Sequence, residues 1–463
     1  MCEFKPSTFK ELIESCKGNY TTAFINEDDS ISYNDFYEDC VNSIDFIYHC
    51  TDKQNIALFH DSSYEWIVFY YAIQLAGKTA VVIDANKSIG VLEKICKDFD
   101  IDVILTNRKL DTRIKILGHQ KYTKKCSEWV MAKNAYISTV IFTSGTSENN
   151  PKGVALSEKG LLIDSYYGSI GTNINSNDQL LHIMPFSHAF GLVGEVILPI
   201  IAKSTVCFGR GLGNIVKDIK KYSVTSLYVV PQILRGLLVY LNKNELKSVK
   251  KFTCGSAEPE PDVINEYIKS GKEVHVTYGM TECSPCVAIS SPLTHMKKHY
   301  AGKSFPCCDI KVSPSGEILV SGDNLMLGYY DGTTIDKSSI EDGYLHTGDI
   351  GYLNGDDLYV IGRTKNILVF DNGEKMVKSE LEDRIKMFLD AKECFTFIEN
   401  NALNIVLTDF TSEVSLKELY SIIPVGIKLG KIYKRTKPLA RTSLGKLVNS
   451  SQVQISEAID IKI

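Results

Sequence analysis

The sequence has no excess of positive charge. It contains 51 Lys and Arg residues against 56 Asp and Glu residues in a chain of 463, and its formal net charge is −5 at pH 7. Proteins that bind nucleic acid usually present a basic face to the phosphate backbone. We interpret one local group of lysines (Lys243, Lys247, Lys250 and Lys251) as the solvated face of a helix. Nucleic acid is therefore not an expected partner.

Long apolar runs are lacking as well. A helix needs about 20 successive apolar residues to cross a bilayer, whereas the apolar stretch at residues 191–202 is short and contains Glu195. The first residues lack the apolar core of a secretory signal. We therefore predict no transmembrane segment and a cytoplasmic location. The composition, with 44% hydrophobic and 23% charged residues, is typical of a folded globular protein.

Cysteine, in contrast, is abundant. The 13 cysteines are expected to be free thiols, because a chain without a secretory signal folds in a reducing compartment. Cys283 and Cys286 form a C-x-x-C pattern, and Cys307 and Cys308 follow, so four zinc ligands are conceivable. Two adjacent cysteines are poorly placed to supply the third and fourth ligands of such a site. Buried free thiols are the favoured interpretation.

Strand and helix patterns alternate along the N-terminal part. Apolar runs of strand length at residues 55–59, 79–83 and 103–106 are separated by helical patterns at residues 64–76 and 89–99. This order predicts parallel β-strands covered by helices. Further along, from residue 316 to residue 360, short strands are separated by Gly-Asp and Asn-Gly turns, and a last unit of about 100 residues is compatible with a small domain. The chain is long enough for two or more domains.

Residues 141–154 combine hydroxyl side chains, glycine and lysine directly after an apolar strand. Glycine lets backbone N–H groups approach a phosphate, hydroxyls donate hydrogen bonds, and lysine supplies positive charge. The spacing differs from that of a Walker P-loop.

Four other motifs contain side chains suited to a nucleotide. Residues 278–282 combine an aromatic ring that can stack on a base with a carboxylate that can hold Mg²⁺. Residues 344–349 end in a Gly-Asp pair, residues 362–365 contain an arginine and a lysine, and residues 441–446 end in a lysine next to a glycine.

Together, in this order, the motifs resemble the AMP-forming acyl-CoA synthetase superfamily, which includes peptide-synthetase adenylation domains and firefly luciferase. Residues 31–36, 64–67, 184–192 and 255–257 are similar to that superfamily too. The resemblance implies an α/β fold: a large N-terminal domain of α/β layers with a β-barrel-like part, and a small, mobile α+β C-terminal domain. We predict an AMP-binding domain at 1–362 and a mobile domain at 363–463.

The resemblance also implies where ATP binds. A loop covers the phosphates, backbone groups line the adenine, an aromatic ring stacks on it, and a carboxylate assisted by an arginine binds the ribose hydroxyls. The implied phosphate-loop residues are Thr143, Ser144, Gly145, Thr146, Ser147 and Lys152. The implied nucleoside-binding residues are Gly255, Ser256, Ala257, Tyr278, Asp349 and Arg363.

Four residues match the superfamily's reaction centre and hinge. By resemblance, Thr281 holds the α-phosphate, Glu282 holds Mg²⁺, and Lys446 bridges the carboxylate and the α-phosphate. Lys365 occupies the hinge. A carboxylate attacks a negatively charged phosphate poorly, and lysine and Mg²⁺ offset that repulsion. The phosphate loop departs from the family pattern, since Glu148 and the two following asparagines replace a glycine-containing pair.

The acyl pocket implied by the resemblance is mostly apolar. It has no acidic partner for the ammonium group of an amino acid, so a fatty or aryl acid with CoA as the thiol acceptor is favoured. The alternatives are loading of a separate carrier protein through its phosphopantetheine arm, a non-catalytic nucleotide- or acyl-binding protein, and a luciferase-like oxidation. The implied pocket residues are His188, Phe190, Gly191, Val230, Gly279, Met280 and Cys283.

Overall fold

The computed structural model describes most of the chain. The described residues are 4–118, 136–143, 153–364, 367–369, 375–399, 402–409, 419–420, 423, 427–440, 447–448, 450–456 and 458–461. The fold is mixed α/β, with a large N-terminal and a small C-terminal domain, which confirms the predicted fold class.

The helices of the described residues are α1 (Phe9–Glu14), α2 (Tyr33–Cys50), α3 (Tyr64–Leu75), α4 (Ile89–Asp98), α5 (Glu158–Gly171), α6 (Ala189–Gly191), α7 (Leu198–Ala202), α8 (Ile215–Lys221), α9 (Pro231–Asn242), α10 (Pro261–Lys269), α11 (Lys378–Phe388) and α12 (Ser451–Ile455). A π-helix spans Leu192–Ile197, and 3₁₀ turns span Leu212–Asn214 and Thr281–Cys283.

The strands of the described residues are β1 (Thr22–Asn26), β2 (Asp29–Ser32), β3 (Asn55–Leu58), β4 (Thr79–Val82), β5 (Val103–Leu105), β6 (Lys115–Leu117), β7 (Thr139–Phe142), β8 (Gly153–Leu156), β9 (Gln179–His182), β10 (Thr205–Phe208), β11 (Ser226–Val229), β12 (Lys251–Cys254), β13 (Glu273–Gly279), β14 (Cys286–Ile289), β15 (Tyr300–Ser304), β16 (Cys308–Val312), β17 (Glu317–Gly322), β18 (Gly328–Tyr330), β19 (Ile335–Asp336), β20 (Ile340–Glu341), β21 (Tyr344–Asn354), β22 (Asp357–Arg363), β23 (Ile367–Val369), β24 (Lys375–Val377), β25 (Glu393–Glu399), β26 (Ala402–Thr408), β27 (Leu429–Arg435) and β28 (Ala458–Ile461).

The chain divides into two compact units. The larger consists of Met1–Lys311, Leu319–His346 and Leu353–Leu358. The smaller consists of Val312–Ile318, Thr347–Tyr352 and Tyr359–Ile463. The predicted boundary between residues 362 and 363 remains a prediction.

The first sheet of the larger unit contains the predicted parallel strands. Its order is β19-β18-β8-β7-β4-β3-β5-β6, and β3 pairs in parallel with both β4 and β5. Strands β3 and β4 are buried along their whole length, as expected where helices cover both faces of a parallel sheet. The alternation of strands and helices in residues 55–106 is thereby confirmed.

Helix α3 is buried on nearly every side. Ser63 caps its first turn by accepting a hydrogen bond from the Trp66 backbone N–H. The rings of Trp66 and Tyr70 stack with their centroids 5.3 Å apart. Such an apolar helix packs inside the molecule without presenting a polar face to water. No described helix is both long and apolar enough to cross a membrane.

A second sheet places five strands in parallel, in the order β1-β10-β9-β11-β12, and β13 continues it in parallel before β14 pairs with it antiparallel. Its core contains Val229, Phe252, Tyr267 and Val276. Ligands of open parallel sheets usually bind beyond the carboxyl ends of the strands. The loops after β9, β11, β12 and β13 are therefore the place to look for a site.

The lysine group near residue 250 differs from its prediction. Helix α9 ends at Asn242, before all four lysines, so they do not form one helix face. Lys251 begins the buried strand β12, and its Nζ lies 2.8 Å from Asp178 Oδ2. A helical spacing of lysines over few residues does not distinguish a helix face from a turn that leads into a strand.

The smaller unit has a core of its own. Strands β25, β26, β27 and β28 form a sheet in that order, and β23 pairs with β24 in a separate hairpin. Helix α11 packs Leu381 and Ile385 into a cluster with Leu403 and Ile405 of β26. This arrangement fits the α+β class predicted for the C-terminal domain.

Candidate active site

A tight turn follows β13 and carries Glu282. The side chain is largely buried, and its Oε1 accepts a hydrogen bond of 2.7 Å from the Tyr329 hydroxyl. The backbone carbonyl of Glu282 accepts a hydrogen bond of 2.8 Å from the N–H of Met326. Tyr329 of β18 therefore holds the side chain of Glu282, and Met326, just before that strand, holds its backbone. Sequence reasoning missed Tyr329, because no motif surrounds it.

Gly279, at the end of β13, is required by close packing. A Cβ atom there would overlap the carbonyl oxygen of Pro285 and lie 2.8 Å from Cys286 Cα. Backbone atoms cannot yield as a flexible side chain can. Because Gly279 has no side chain, the end of β13 can pack directly against the start of β14. Thr281 and Met280 in this turn are half-buried, and Cys283 is buried.

The segment Gly255 to Ala257 follows β12 directly. The Gly255 N–H donates a hydrogen bond of 3.1 Å to the carbonyl of Val229. Ser256 has a left-handed backbone with φ +68°, which residues other than glycine rarely adopt. Strained backbone concentrates at functional sites. Because β12 pairs in register with β13, this segment lies at the same edge of the sheet as Tyr278, which stands near the end of β13.

Asp349 belongs to the smaller unit. Its Oδ1 accepts a hydrogen bond of 2.9 Å from Arg363 Nε, so the structure brings these two predicted residues together. The Asp349 N–H donates to Thr347 Oγ1, and the Gly348 N–H donates to Glu317 Oε1. Gly348 has φ +67°, a conformation that glycine adopts without strain. The Asp349 carboxylate is buried, whereas Arg363 is exposed.

Glu195 anchors the segment that contains His188. This carboxylate is fully buried in the π-helix, and the N–H groups of Ile183 and Met184 both donate to it over 3.1–3.2 Å. Nδ1 of His182 lies 2.6 Å from Glu195 Oε2. Burial raises the pKa of the Glu195 carboxyl, while the hydrogen bond with His182 opposes that rise. Glu195, whose charge argued against a membrane-spanning segment, therefore links the end of β9 to the π-helix through hydrogen bonds.

An apolar cavity lies between α5 and the ends of β11, β12 and β13. It contains about 300 Å³ of unfilled space, counting the part open to solvent. Phe190 is the predicted pocket residue that lines it. The other six, His188, Gly191, Val230, Gly279, Met280 and Cys283, are not among the described residues that line it. The lining residues that sequence reasoning did not place in the pocket include Asp164, Val193, Tyr228, Thr253, Thr277 and Cys286. The expectation of a pocket without an acidic side chain was therefore wrong, because Asp164 lies in an ordinary-looking helix outside the motifs.

The cavity and the two segments at the sheet edge adjoin one another. A Cβ atom on Gly255 would lie 3.1 Å from the Phe190 ring and would overlap Thr277 Oγ1. Both Phe190 and Thr277 line the cavity, and Thr277 directly precedes Tyr278. An apolar space therefore opens next to the backbone predicted to bind adenine.

The family model described as "AMP-binding enzyme" matches residues 15–330, about two thirds of the chain. That stretch contains the Glu282 turn, the Gly255 segment and the cavity.

The chain belongs to the AMP-binding enzyme family. The resemblance drawn from the motifs is thereby confirmed.

Curated relatives of this AMP-binding enzyme are 2-succinylbenzoate–CoA ligases. The one from Bacillus cereus (strain ATCC 10987 / NRS 248) is 26% identical over 391 residues, which cover 78% of this chain and 79% of the relative. The one from Bacillus subtilis (strain 168) is 26% identical over 342 residues, which cover 69% of each protein.

Solved structures share the fold along nearly the whole chain. O-succinylbenzoate coenzyme A synthetase (MenE) from Bacillus subtilis, in complex with AMP, has a TM-score of 0.81 at 22% identity and covers 96% of this chain and 97% of its own. ATP-bound MatB from Rhodopseudomonas palustris has a TM-score of 0.84 at 20% identity, with the same coverage.

Several predicted residues lie outside the described residues. Thr143 is described, and it directly follows β7, as expected for the start of a loop after a strand. The remainder of the predicted phosphate loop, the hinge and the C-terminal lysine are not described. These residues are Ser144, Gly145, Thr146, Ser147, Lys152, Lys365 and Lys446.

The cysteines of this enzyme are free thiols wherever the structure describes them, and most are buried. In the part of the chain that the structure describes, no group of three or more His, Cys, Asp or Glu side chains is arranged to hold a metal ion.

The Glu195 network predicts a large loss of stability on truncation. Glu195→Ala should lower the free energy of unfolding by about 3 kcal/mol or more, because it leaves the buried Met184 N–H and the partly buried Ile183 N–H without this acceptor. Glu195→Gln keeps an acceptor and should cost less. Urea unfolding monitored by circular dichroism measures both changes.

The control for this prediction is Asp45→Ala, which removes the exposed Asp45–His49 pair on α2, 3.4 Å apart. An exposed pair contributes at most about 1 kcal/mol. Equal losses of stability in Glu195→Ala and Asp45→Ala would show that Glu195 is not an anchor.

Proposed function

We propose that this AMP-binding enzyme converts a carboxylic acid and ATP to acyl-AMP with release of pyrophosphate. It then transfers the acyl group to the thiol of CoA with release of AMP. The observation that supports this best is the arrangement at one sheet edge, where the Gly255 segment, the Glu282 turn and the apolar cavity adjoin. The curated relatives are named as CoA ligases, which supports CoA as the acceptor. ATP, CoA and free thiols point to the cytoplasm.

The acid would occupy the apolar cavity. Its lining is dominated by apolar and aromatic side chains such as Phe190, Val193 and Ile289. Its one carboxylate, Asp164, is bonded by the Cys286 N–H and Asn324 Nδ2 and forms no ion pair among the described residues. Such a lining suits an aryl or fatty body. The aryl acid in the name of the relatives favours the aryl class.

The nucleotide would lie along the sheet edge. Backbone groups of Gly255, Ser256 and Ala257 would line the adenine, and Tyr278 would stack on it. In the smaller unit, Asp349 has the chemistry to accept hydrogen bonds from the ribose hydroxyls, with Arg363 holding its carboxylate in place. We further propose that residues 363–463 form a mobile domain with its hinge at Lys365.

The donor set at the turn fits Mg²⁺. This ion prefers oxygen ligands and usually combines one or two carboxylates with substrate phosphates, so Glu282 can hold it without a cluster of protein ligands. When bound, Mg²⁺ supplies positive charge that offsets the negative charge of the phosphates. Thr281, one residue before, would hydrogen-bond the α-phosphate. Lys446 would bring the carboxylate and the α-phosphate together during the first half-reaction.

A pyrophosphate-release assay tests the proposed function. The enzyme with ATP and Mg²⁺ should release pyrophosphate only when an accepted acid is present, and the panel should contain aryl acids including 2-succinylbenzoate, fatty acids and amino acids. CoA should increase turnover and yield an acyl-CoA detectable by mass spectrometry. Acid-dependent release that CoA does not increase would contradict CoA as the acceptor, and no release from folded protein would contradict the enzyme function.

Lys446→Ala should separate the two half-reactions. Loss of the cation that bridges carboxylate and α-phosphate should lower the adenylation rate at least about 100-fold, since one preorganised electrostatic contact contributes on this scale. Thioester formation from preformed acyl-AMP should stay within a few-fold of wild type. Single-turnover assays of each half-reaction measure this, with Lys437→Ala as a lysine control in the same part of the chain.

Equal losses in both half-reactions of Lys446→Ala would contradict the role given to Lys446.

Tyr329→Phe tests the support of the metal ligand. It removes the hydroxyl that donates to Glu282 Oε1 and should raise the Mg²⁺ concentration for half-maximal activity about 10-fold, because partners of metal ligands usually affect metal affinity on this scale. The measurement is a Mg²⁺ titration of pyrophosphate release. Tyr330→Phe is the matched control, since the Tyr330 hydroxyl donates to the Gly332 carbonyl instead. Identical titrations for the two variants would contradict the proposed support.

A further inference from the structure

Asp164 is a buried carboxyl in the wall of the apolar cavity. It lies on α5, and only 1% of its surface is exposed. Its Oδ2 accepts hydrogen bonds from the Cys286 N–H over 3.0 Å and from Asn324 Nδ2 over 3.1 Å. Its Oδ1 is equally buried and has no hydrogen-bond partner among the described residues. One oxygen is therefore fixed by the fold and the other is unsatisfied.

The other polar group on this face of α5 is satisfied. Asp164, Gly168 and Thr172 follow one another at intervals of four residues and all line the cavity. The Thr172 hydroxyl donates to the Gly168 carbonyl over 2.8 Å and lies 3.2 Å from the Tyr228 hydroxyl. On this described face, the unsatisfied hydrogen-bonding capacity is that of Asp164.

The surroundings of Asp164 favour its neutral form. Burial raises the pKa of this carboxyl well above its usual range, and hydrogen bonds from Asn324 and from the Cys286 backbone only partly oppose the rise. A buried polar atom without a partner costs about 1–3 kcal/mol. Unsatisfied buried groups are few in native proteins, and in a pocket they commonly belong to a binding function.

We propose that Asp164 selects carboxylic acids whose apolar body carries a hydroxyl group, which pairs with Asp164 Oδ1 inside the cavity. The inference rests on the proposed function and adds the substrate class. A hydroxyl both donates and accepts, so it matches the carboxyl whether or not the carboxyl is protonated. A hydrocarbon group would leave Oδ1 unsatisfied. A second carboxylate would bring an unpaired charge into an apolar space, where its burial is costly.

Gly168, one turn after Asp164, also lines the cavity. A Cβ atom there would lie 3.1 Å from Leu198 Cδ1, so a side chain at this position would press against the cavity wall. The cavity also reaches Phe190 and Thr277, which adjoin the Gly255 segment. An acid whose carboxylate faces the nucleotide can therefore extend its body along the cavity wall toward Asp164.

The test compares matched acids that differ by one hydroxyl. The pairs are benzoate with its three monohydroxy derivatives and octanoate with ω-hydroxyoctanoate, and the readout is kcat/KM for acid-dependent pyrophosphate release. The wild type should prefer the best hydroxy acid over its parent by at least about 10-fold, since a site built to bond a hydroxyl rejects the analogue that lacks it. Asp164→Leu should abolish the preference, and Asp164→Asn should keep it because an amide also donates and accepts.

Two further variants separate recognition from structural support. Thr172→Val changes another polar cavity residue whose hydroxyl is already paired, and it should leave the preference unchanged. Asn324→Ala removes one of the two hydrogen bonds to Oδ2 and leaves the one from the Cys286 N–H, which still holds the carboxyl. It should lower kcat/KM for all acids in common and leave the ratio between hydroxy acid and parent as in the wild type.

A wild-type ratio near one, in enzyme that releases pyrophosphate, would overturn this inference and leave the proposed function intact. The same ratio in Asp164→Leu as in the wild type would overturn it too. If no acid supported release, the proposed function would fail. Affinities for hydroxybenzoyl and benzoyl sulfamoyl-adenosines, measured by calorimetry, would then decide the inference, and equal affinities would overturn it.

Discussion

The in-register parallel pairing of β12 with β13 is the constraint on which the arrangement of the site depends. Cys254, the last residue of β12, pairs with Val276, and β13 ends shortly after this level, at Gly279. The Gly255 segment and the Glu282 turn lie together because of this register, although more than 20 residues separate them. If either strand shifted by one residue, its own threonine, Thr253 or Thr277, would turn away from the cavity.

Buried carboxylates hold the loops around this edge. Glu195 gathers two backbone N–H groups after β9, Asp164 accepts from the start of β14, and the Tyr329 hydroxyl donates to Glu282. Each carboxylate accepts hydrogen bonds from groups that would otherwise lack a partner, which offsets part of the cost of its burial. Loops held in this way keep the preorganised geometry that catalysis on a charged nucleotide needs.

The fold was readable from the sequence to the extent that it depends on local patterns. Alternating strands and helices predicted the parallel sheet, and the motifs predicted the family. Contacts between distant residues were not readable: Tyr329 lies 47 residues from Glu282, and Asn324 lies 160 residues from Asp164. The cavity lining shows the same limit, because motif residues such as Phe190 were found and Asp164, which lies in an ordinary-looking helix, was missed. The lysines near residue 250 were assigned to a helix because spacing alone does not locate the end of α9.

The Asn324 side chain joins parts of the molecule that a protein engineer would prefer to change separately. Its Nδ2 lies within hydrogen-bonding distance of Asp164 Oδ2 and of the carbonyls of Cys283 and Cys286. Cys283 directly follows the proposed metal ligand. Remodelling the α5 wall to admit a new acid would therefore also disturb the turn beside the metal. Among the described residues, the Asn324 side chain forms no hydrogen bond with Phe190 or Phe305, and this aromatic wall is the better place to begin broadening the range of acids.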